Sequence, residues 1–356
     1  MNIGFLAHVY DRREGTGGYA VELVERLSRT HQVTLYATTV RTPPPSDVRV
    51  VHVPALRGSA YLTVLTFPAA FRAVRARHDL IHAQGFQTLA ADVVTAHIVQ
   101  QAWRRALARD RVPATIAERL AGGLIAKLEN EAFRRSRAVI APSRRASDDV
   151  MRSSGRTSDV FLIPHGCDRP AAGGDRRRTR AMLGLSDGDF LALYIGYPRK
   201  GLAPAVEALR LEGNVHLAVL SHSAPGDWPD RAGPAAGRLH WLAPDTSVAD
   251  ALAAADCLVH PTCYDTFGLP IAEALSAGVP VIASRDAGAS ELLRHERSGW
   301  LLDSRSGEAV AAAIAALRDQ PALRSRLSAE GRRVASEWTW DIAAQRTIEV
   351  YERIAG

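Results

Sequence analysis

The chain is poor in lysine: of its 44 basic residues only Lys127 and Lys200 are not arginine. Where arginine is the habitual cation, a lysine marks a place where a compact point charge matters, and Lys200 is the one of interest. Cysteine is scarce as well. Cys167, Cys257 and Cys263 show no metal-ligand spacing, which points to reduced thiols in a cytoplasmic protein. No run of about 18 apolar residues occurs, so no membrane-spanning helix is expected. The opening MNIGFLAHVYDRRE lacks a basic n-region and a long apolar stretch, and reads as a first strand rather than a signal peptide. Internal repeats and low-complexity tracts are also missing.

What is present is enough sequence for more than one core: 356 residues predict two domains. The charge is uneven. Residues 1–165 carry 23 Arg and Lys against 14 Asp and Glu, a formal +9, whereas the remainder carries 21 against 24, or −3. A basic half points to an anionic partner (a phosphorylated acceptor, a membrane surface or nucleic acid) or simply to arginines on solvated helix faces. Nucleic acid is the weakest of these, because the arginines are not interleaved with aromatics. Gln101 to Val112, QAWRRALARDRV, forms a basic, partly amphipathic segment suited to an anionic membrane face or to plain solvent.

Strand and helix patterns alternate throughout, which predicts parallel α/β sheets. Strand Ile3 to Val9 leads to a loop from Asp11 to Gly18 that ends in Gly17-Gly18, followed by a helix from about Tyr19. The loop does not match GxGxxG, so a dinucleotide fingerprint is not supported. Its glycines let backbone N–H groups approach an anion, or merely make a tight turn. His82 and His97 close strands at the carboxyl end, where open α/β sheets bind ligands, and His82 is also read as a satisfied core histidine. The Gly-, Pro- and Arg-rich segment Arg169 to Arg180 is the expected linker. A second series opens with strand Phe190 to Ile195 and the turn Gly196-Tyr197-Pro198-Arg199-Lys200-Gly201.

The richest stretch is His260 to Glu291, HPTCYDTFGLPIAEALSAGVPVIASRDAGASE. A buried strand ends here, a turn-prone loop follows, and a helix from Leu269 is stopped by Gly278. Asp265 and Glu273 place two carboxylates eight residues apart, beside a glycine and the free amides of a helix start. That combination suits a ligand with both hydroxyls and phosphate. Asp265 also reads as a helix N-cap. Glu273 has apolar neighbours on both sides, which argues for partial burial.

Taken in order, Gly17-Gly18 before a helix, His97 at a strand end, the Ile163–Asp168 turn, GYPRKG and YDTFGLPIAEALSAGVPVIAS resemble the retaining nucleotide-sugar glycosyltransferases of family 4 (glycosyl transferases group 1). The spacing of GYPRKGL is loosely similar to the lipopolysaccharide-core α-glucosyltransferases. The resemblance implies an α/β GT-B fold, two Rossmann-like parallel-sheet domains facing across a cleft. Residues 1–168 would be the acceptor-side domain, residues 169–337 the nucleotide-sugar donor domain, and a last helix, 338–356, would pack back on the first. It implies that Arg199 and Lys200 meet the donor diphosphate, with the amides of Thr266, Phe267, Gly268 and Leu269. Glu273 would take the ribose diol, Asp265 the transferred sugar, and Gly17 and Gly18 would close over the sugar phosphate. His97 would lie at the reacting face, so His97, Lys200 and Asp265 form the catalytic set. The implied chemistry is front-face attack in which the leaving diphosphate takes the acceptor proton. No Asp-x-Asp motif occurs, so metal independence and no cofactor are expected. The co-substrate is a nucleotide-diphospho-sugar, with UDP preferred over GDP, ADP or dTDP.

Four positions depart from the family pattern. Asp265 replaces a glutamate, His165 stands where Asn is frequent, Tyr197 where Arg is, and Ser221–Trp228 lacks the usual glycine pair. The expected partners are the donor and an acceptor saccharide, lipid-linked sugar or small-molecule aglycone. The expected location is the cytoplasm, with peripheral contact at the inner membrane face through the basic domain. Two other readings stand beside this one: a sugar-nucleotide epimerase of the same fold, and an inactive nucleotide-sugar-binding subunit.

Overall fold

The central strands of both halves are continuous apolar runs, the pattern of parallel strands covered on both faces. The computed structural model describes residues 1–167, 174–243 and 245–356. They form two units, Met1–His165 with Trp340–Gly356, and Gly166–Thr339.

The first unit is built from β1 (Asn2–Tyr10), α1 (Gly15–Leu27), β2 (Gln32–Val40), β3 (Arg49–His52), α2 (Ala60–Val74), β4 (Leu80–Gln84), β5 (Val93–Thr95), α3 (Gln100–Arg109), α4 (Ile116–Arg135), β6 (Ala138–Ala141), α5 (Arg144–Ser154) and β7 (Val160–Leu162). Its seven strands are parallel in the order β3-β2-β1-β4-β5-β6-β7. The order reverses between β1 and β4, and such a switch point opens a ligand crevice at the strands' carboxyl ends. Leu6, Phe67, Phe71, Val94 and Phe133 belong to one of its cores. The caps follow the sequence: Thr115 and Glu118 close a capping box on α4, and Ser143 accepts the Ala146 amide at 3.0 Å to start α5.

The second unit comprises α6 (Arg176–Met182), β8 (Phe190–Ile195), α7 (Leu202–Leu211), β9 (Val215–Leu220), α8 (Trp228–Ala232), β10 (Leu239–Trp241), α9 (Val248–Ala254), β11 (Cys257–His260), α10 (Leu269–Ala277), β12 (Val281–Ser284), β13 (Trp300–Leu302), α11 (Gly307–Asp319) and α12 (Pro321–Ser336). Six parallel strands run β10-β9-β8-β11-β12-β13, with the reversal between β8 and β11. Apolar cores cover both faces of this sheet. The chain then returns to the first unit as α13 (Trp340–Ala355), where Asp341 pairs with Arg26 at 2.6 Å. Among the described residues no helix is long and apolar enough to cross a membrane.

Two expectations need correction. The helix after β1 starts at Gly15, not Tyr19, so Gly17 and Gly18 are buried in its first turn and are not a free loop. Gly17 is required there: a Cβ would lie 2.7 Å from the Asp11 carbonyl oxygen, so only glycine lets the helix start this close to the strand. The expected linker is not all linker either. Arg176–Met182 is helical, capped by Asp175, which accepts the Arg178 amide at 2.9 Å. Arg180 is 1% exposed and donates to the carbonyls of Ala254 and Ser186. Asp168 and residues 169–173 lie outside the described residues.

Candidate active site

Lys200 and Asp265 follow the two strands at the second unit's switch point, β8 and β11. The chain leaves β8 through Gly196 (φ +138°) and a single turn of 3-10 helix, Pro198–Lys200, closed by Gly201 (φ +142°). Gly201 rests on the backbone after β11. A Cβ there would lie 2.4 Å from the Pro261 oxygen, and the Cys263 amide donates to the Lys200 carbonyl at 3.2 Å. The Tyr194 hydroxyl secures the same turn by donating to the Tyr197 carbonyl at 2.7 Å. So fixed, the half-buried Lys200 places Nζ 2.9 Å from Oδ2 of Asp265, while Arg199 is exposed beside it.

Asp265 is pinned through its backbone. Its amide donates to the Asp286 carbonyl at 3.1 Å, and its carbonyl accepts the Gly288 amide at 3.0 Å. The side chain faces Lys200 instead of capping α10, whose N-cap is Gly268. Burial alone would raise the carboxyl pKa. The Lys200 ammonium, His260 and the hydrogen bonds from Lys200 and the Phe267 amide outweigh it and hold the pKa below the usual carboxylate range.

Gly268 adopts φ +94° and starts α10 within five residues of Glu273. Thr266, Phe267 and Gly268 are buried and Leu269 half-buried. The Phe267 ring belongs to the core, and its amide points at Oδ1 of Asp265 at 3.4 Å. Glu273 is half-buried between buried Ala272 and Ala274, one turn beyond the positive end of the helix.

The remaining predicted residues, Gly17, Gly18 and His97, lie in the first unit. Nε2 of His97 donates to Oε1 of Gln84 at 2.5 Å, and its ring packs on Tyr19 with centroids 4.6 Å apart. Burial pushes its pKa down to about 3, so the imidazole is neutral near pH 7. His165, the departure just after β7, is buried, stacks on Trp340 at 5.9 Å and meets Tyr19 at 4.6 Å. His82 is a core histidine: it meets Thr95 Oγ1 at 2.7 Å and the Tyr351 hydroxyl at 2.5 Å, and burial lowers its pKa to about 3.

Sequence reasoning passed over His260. It ends β11, lies 2% exposed, and its Nε2 stands 3.8 Å from Oδ2 of Asp265. Its position at a strand's carboxyl end, the rule applied to His82 and His97, would have singled it out. Of the other departures, Tyr197 is 50% exposed, and the Ser221–Trp228 loop is tied by the Trp241 indole, which donates to the Ser223 carbonyl at 3.0 Å.

Two parallel-sheet Rossmann-like units, with a cation–carboxylate pair at one switch point, have the architecture of the GT-B fold. Residues 13–169 match the sequence model of Glycosyltransferase Family 4, and residues 237–334 that of Glycosyl transferases group 1. The chain belongs to this family of glycosyltransferases. It is 28% identical to the D-inositol 3-phosphate glycosyltransferase of Xylanimonas cellulosilytica, over 95% of this chain and 91% of that protein. Its fold is similar to that of WaaG, a glycosyltransferase involved in lipopolysaccharide biosynthesis, with a TM-score of 0.82, 18% identity and 98% and 99% of the two chains covered. Anabaena HepE in complex with UDP-glucose gives a TM-score of 0.74 at 18% identity, over 99% and 100%. At these identities the two structures speak for the fold.

Proposed function

We propose that the chain moves a hexose-type sugar from a nucleotide-diphospho-sugar to an acceptor hydroxyl, with retention of anomeric configuration and without a metal ion. The observation that carries this is the Lys200–Asp265 pair at 2.9 Å, ahead of the N-terminus of α10, the helix that carries Glu273 one turn further on. Lys200, Arg199 and the helix start supply the positive charge that a leaving diphosphate needs. Glu273 accepts hydrogen bonds from the ribose diol, and Asp265 from a sugar hydroxyl. The acceptor oxygen bonds to the anomeric carbon on the face from which the diphosphate departs. The carbon–oxygen bond to phosphate breaks as the acceptor proton passes to the released diphosphate. Protein work is then positioning and leaving-group stabilisation. His97, neutral and held by Gln84, is assigned a positioning role at the sugar. His97, Gly17 and Gly18 enter this reading through the family resemblance alone.

UDP is the preferred nucleotide, in keeping with the UDP-glucose held by HepE. A phosphorylated or lipid-linked acceptor suits the basic first unit, and the Xylanimonas relative is a D-inositol 3-phosphate glycosyltransferase. We assign an anionic lipid surface as a second partner. Ile116, Leu120 and Leu124 are 76%, 72% and 49% exposed, and their four-residue spacing aligns them on one face of α4. Arg104, Arg105, Arg109, Arg111, Arg119 and Lys127 are exposed on the same helix pair and its connection. Apolar side chains among cations match an anionic bilayer face, whereas a second copy would set like charges against each other.

Incubation of the purified chain with UDP-, GDP-, ADP- and dTDP-sugars and a panel of acceptors, followed by NMR of the products, tests the reaction. An α-linked product from an α-linked donor is expected. A β-linked product overturns retention, and formation of an epimeric sugar with no acceptor, rather than simple hydrolysis of the donor, makes the protein an epimerase.

A further inference from the structure

His260 is a buried histidine whose hydrogen-bonding capacity is unspent. Nδ1 and Nε2 are both buried and neither has a hydrogen-bond partner, a state that is costly and calls for a reason outside stability. The ring sits under the Asp265–Gly268 turn: a Cβ on Gly268 would be 3.4 Å from Nε2, and Oδ2 of Asp265 is 3.8 Å from the same nitrogen. That oxygen is already engaged by Lys200 at 2.9 Å. One carboxylate oxygen therefore stands between two candidate donors, one bonded and one about 1 Å too far away.

We infer that His260 is the positioning residue for Asp265 once the donor is bound, an inference that rests on the donor-site reading above. A diphosphate competes for the Lys200 ammonium, and phosphate offers it more negative charge than one carboxylate. When Lys200 turns to the diphosphate, Asp265 is left as a largely buried anion without its cation, a costly state. The Nε2–H of neutral His260 is the donor that takes over Oδ2. The carboxylate is then held by a neutral group that leaves its charge intact, and its other oxygen is aimed at the sugar. Asp265, one methylene shorter than the glutamate of the family pattern, keeps its carboxylate close over the end of β11, within the reach of this ring. His260 does not touch the reacting atoms; it acts through Asp265.

The test uses the whole chain and UDP, which engages Lys200 without supplying a sugar. In ¹⁵N-histidine spectra, saturating UDP shifts the Nε2 resonance of His260 to a hydrogen-bonded position in the wild type and leaves it unmoved in Asp265→Ala, which has no side-chain acceptor. In turnover, His260→Leu lowers kcat about tenfold or more while UDP affinity and donor KM stay within about twofold, and His260→Gln, which restores a donor near Nε2, recovers most of the loss. A His260 resonance indifferent to bound UDP, or a glutamine variant no better than leucine, overturns the inference and leaves the donor site standing. Absence of wild-type binding to UDP, GDP, ADP and dTDP alike overturns both readings; where only one of the other three binds, it takes the place of UDP in the same spectra. The wild-type spectra decide the matter even if His260→Leu fails to fold.

Discussion

The ammonium of Lys200 is spent on Asp265, 2.9 Å away, so the cation assigned to the donor phosphates is held by an internal carboxylate. Binding an anion exchanges one partner for another. Lys200→Ala should weaken UDP binding about 10- to 100-fold, the scale of a charge-assisted contact in a partly buried site. Asp265→Asn should do the opposite to UDP, tightening it a few-fold by releasing Lys200, while sugar transfer is lost. Calorimetry on the two variants separates these outcomes. Because Lys200 keeps about a quarter of its exposure, the pair itself contributes ~1 kcal/mol or less to folding.

Gly17 sits where a methyl group has no room. Gly17→Ala should destabilise the first unit by about 1–3 kcal/mol, because the new Cβ meets the Asp11 backbone and not a movable side chain. Thermal unfolding reads this.

Glu129 gives a pH dependence whose sign is fixed. It is buried on α4 and accepts the Gln100 amide at 2.6 Å, and burial pushes its pKa up from 4.5 to about 8. A raised folded-state pKa means that the neutral acid favours the fold below the unfolded value. That contribution fades as pH rises and is gone above about 8. Wild-type stability should therefore fall between pH 5 and 8 by roughly 1–4 kcal/mol from this group. Glu129→Gln should flatten that slope and be the more stable protein at pH 8. Denaturant midpoints across the range check it.

The stripe on α4 makes a prediction about lipid. The protein should sediment with vesicles containing about a third phosphatidylglycerol and stay in solution with pure phosphatidylcholine, and raised salt should weaken the binding. Leu120→Glu with Ile116→Glu should abolish it and leave turnover of a water-soluble acceptor unchanged. Equal binding by the double variant, or concentration-dependent dimers that it removes, would reassign the stripe.

Much of the fold was legible because parallel sheets announce themselves as apolar runs, and because a glycine such as Gly278 marks where a helix stops. The carboxylate spacing and GYPRKG marked the second unit's site for the same local reasons. What escaped was non-local. Arg180 read as linker because five arginines in twelve residues with Gly and Pro look solvated. In the fold it reaches across 74 residues to the Ala254 carbonyl, and a buried guanidinium with that many acceptors is structural. Gly17-Gly18 read as a loop because glycine disfavours helices, yet the close approach of the Asp11 carbonyl outweighs that propensity. His260 could have been named from its place at the end of β11, but its approach to Asp265, 3.8 Å away, is seen only in the fold.

The central claim is that the second unit binds a nucleotide-diphospho-sugar through Lys200 and Glu273. The direct measurement is calorimetric titration of UDP, GDP, ADP and dTDP into the wild type, Lys200→Ala and Glu273→Ala. The account predicts that at least one nucleotide binds the wild type and that each variant weakens it about tenfold or more. Binding of none, or binding that both variants leave unchanged, would contradict it.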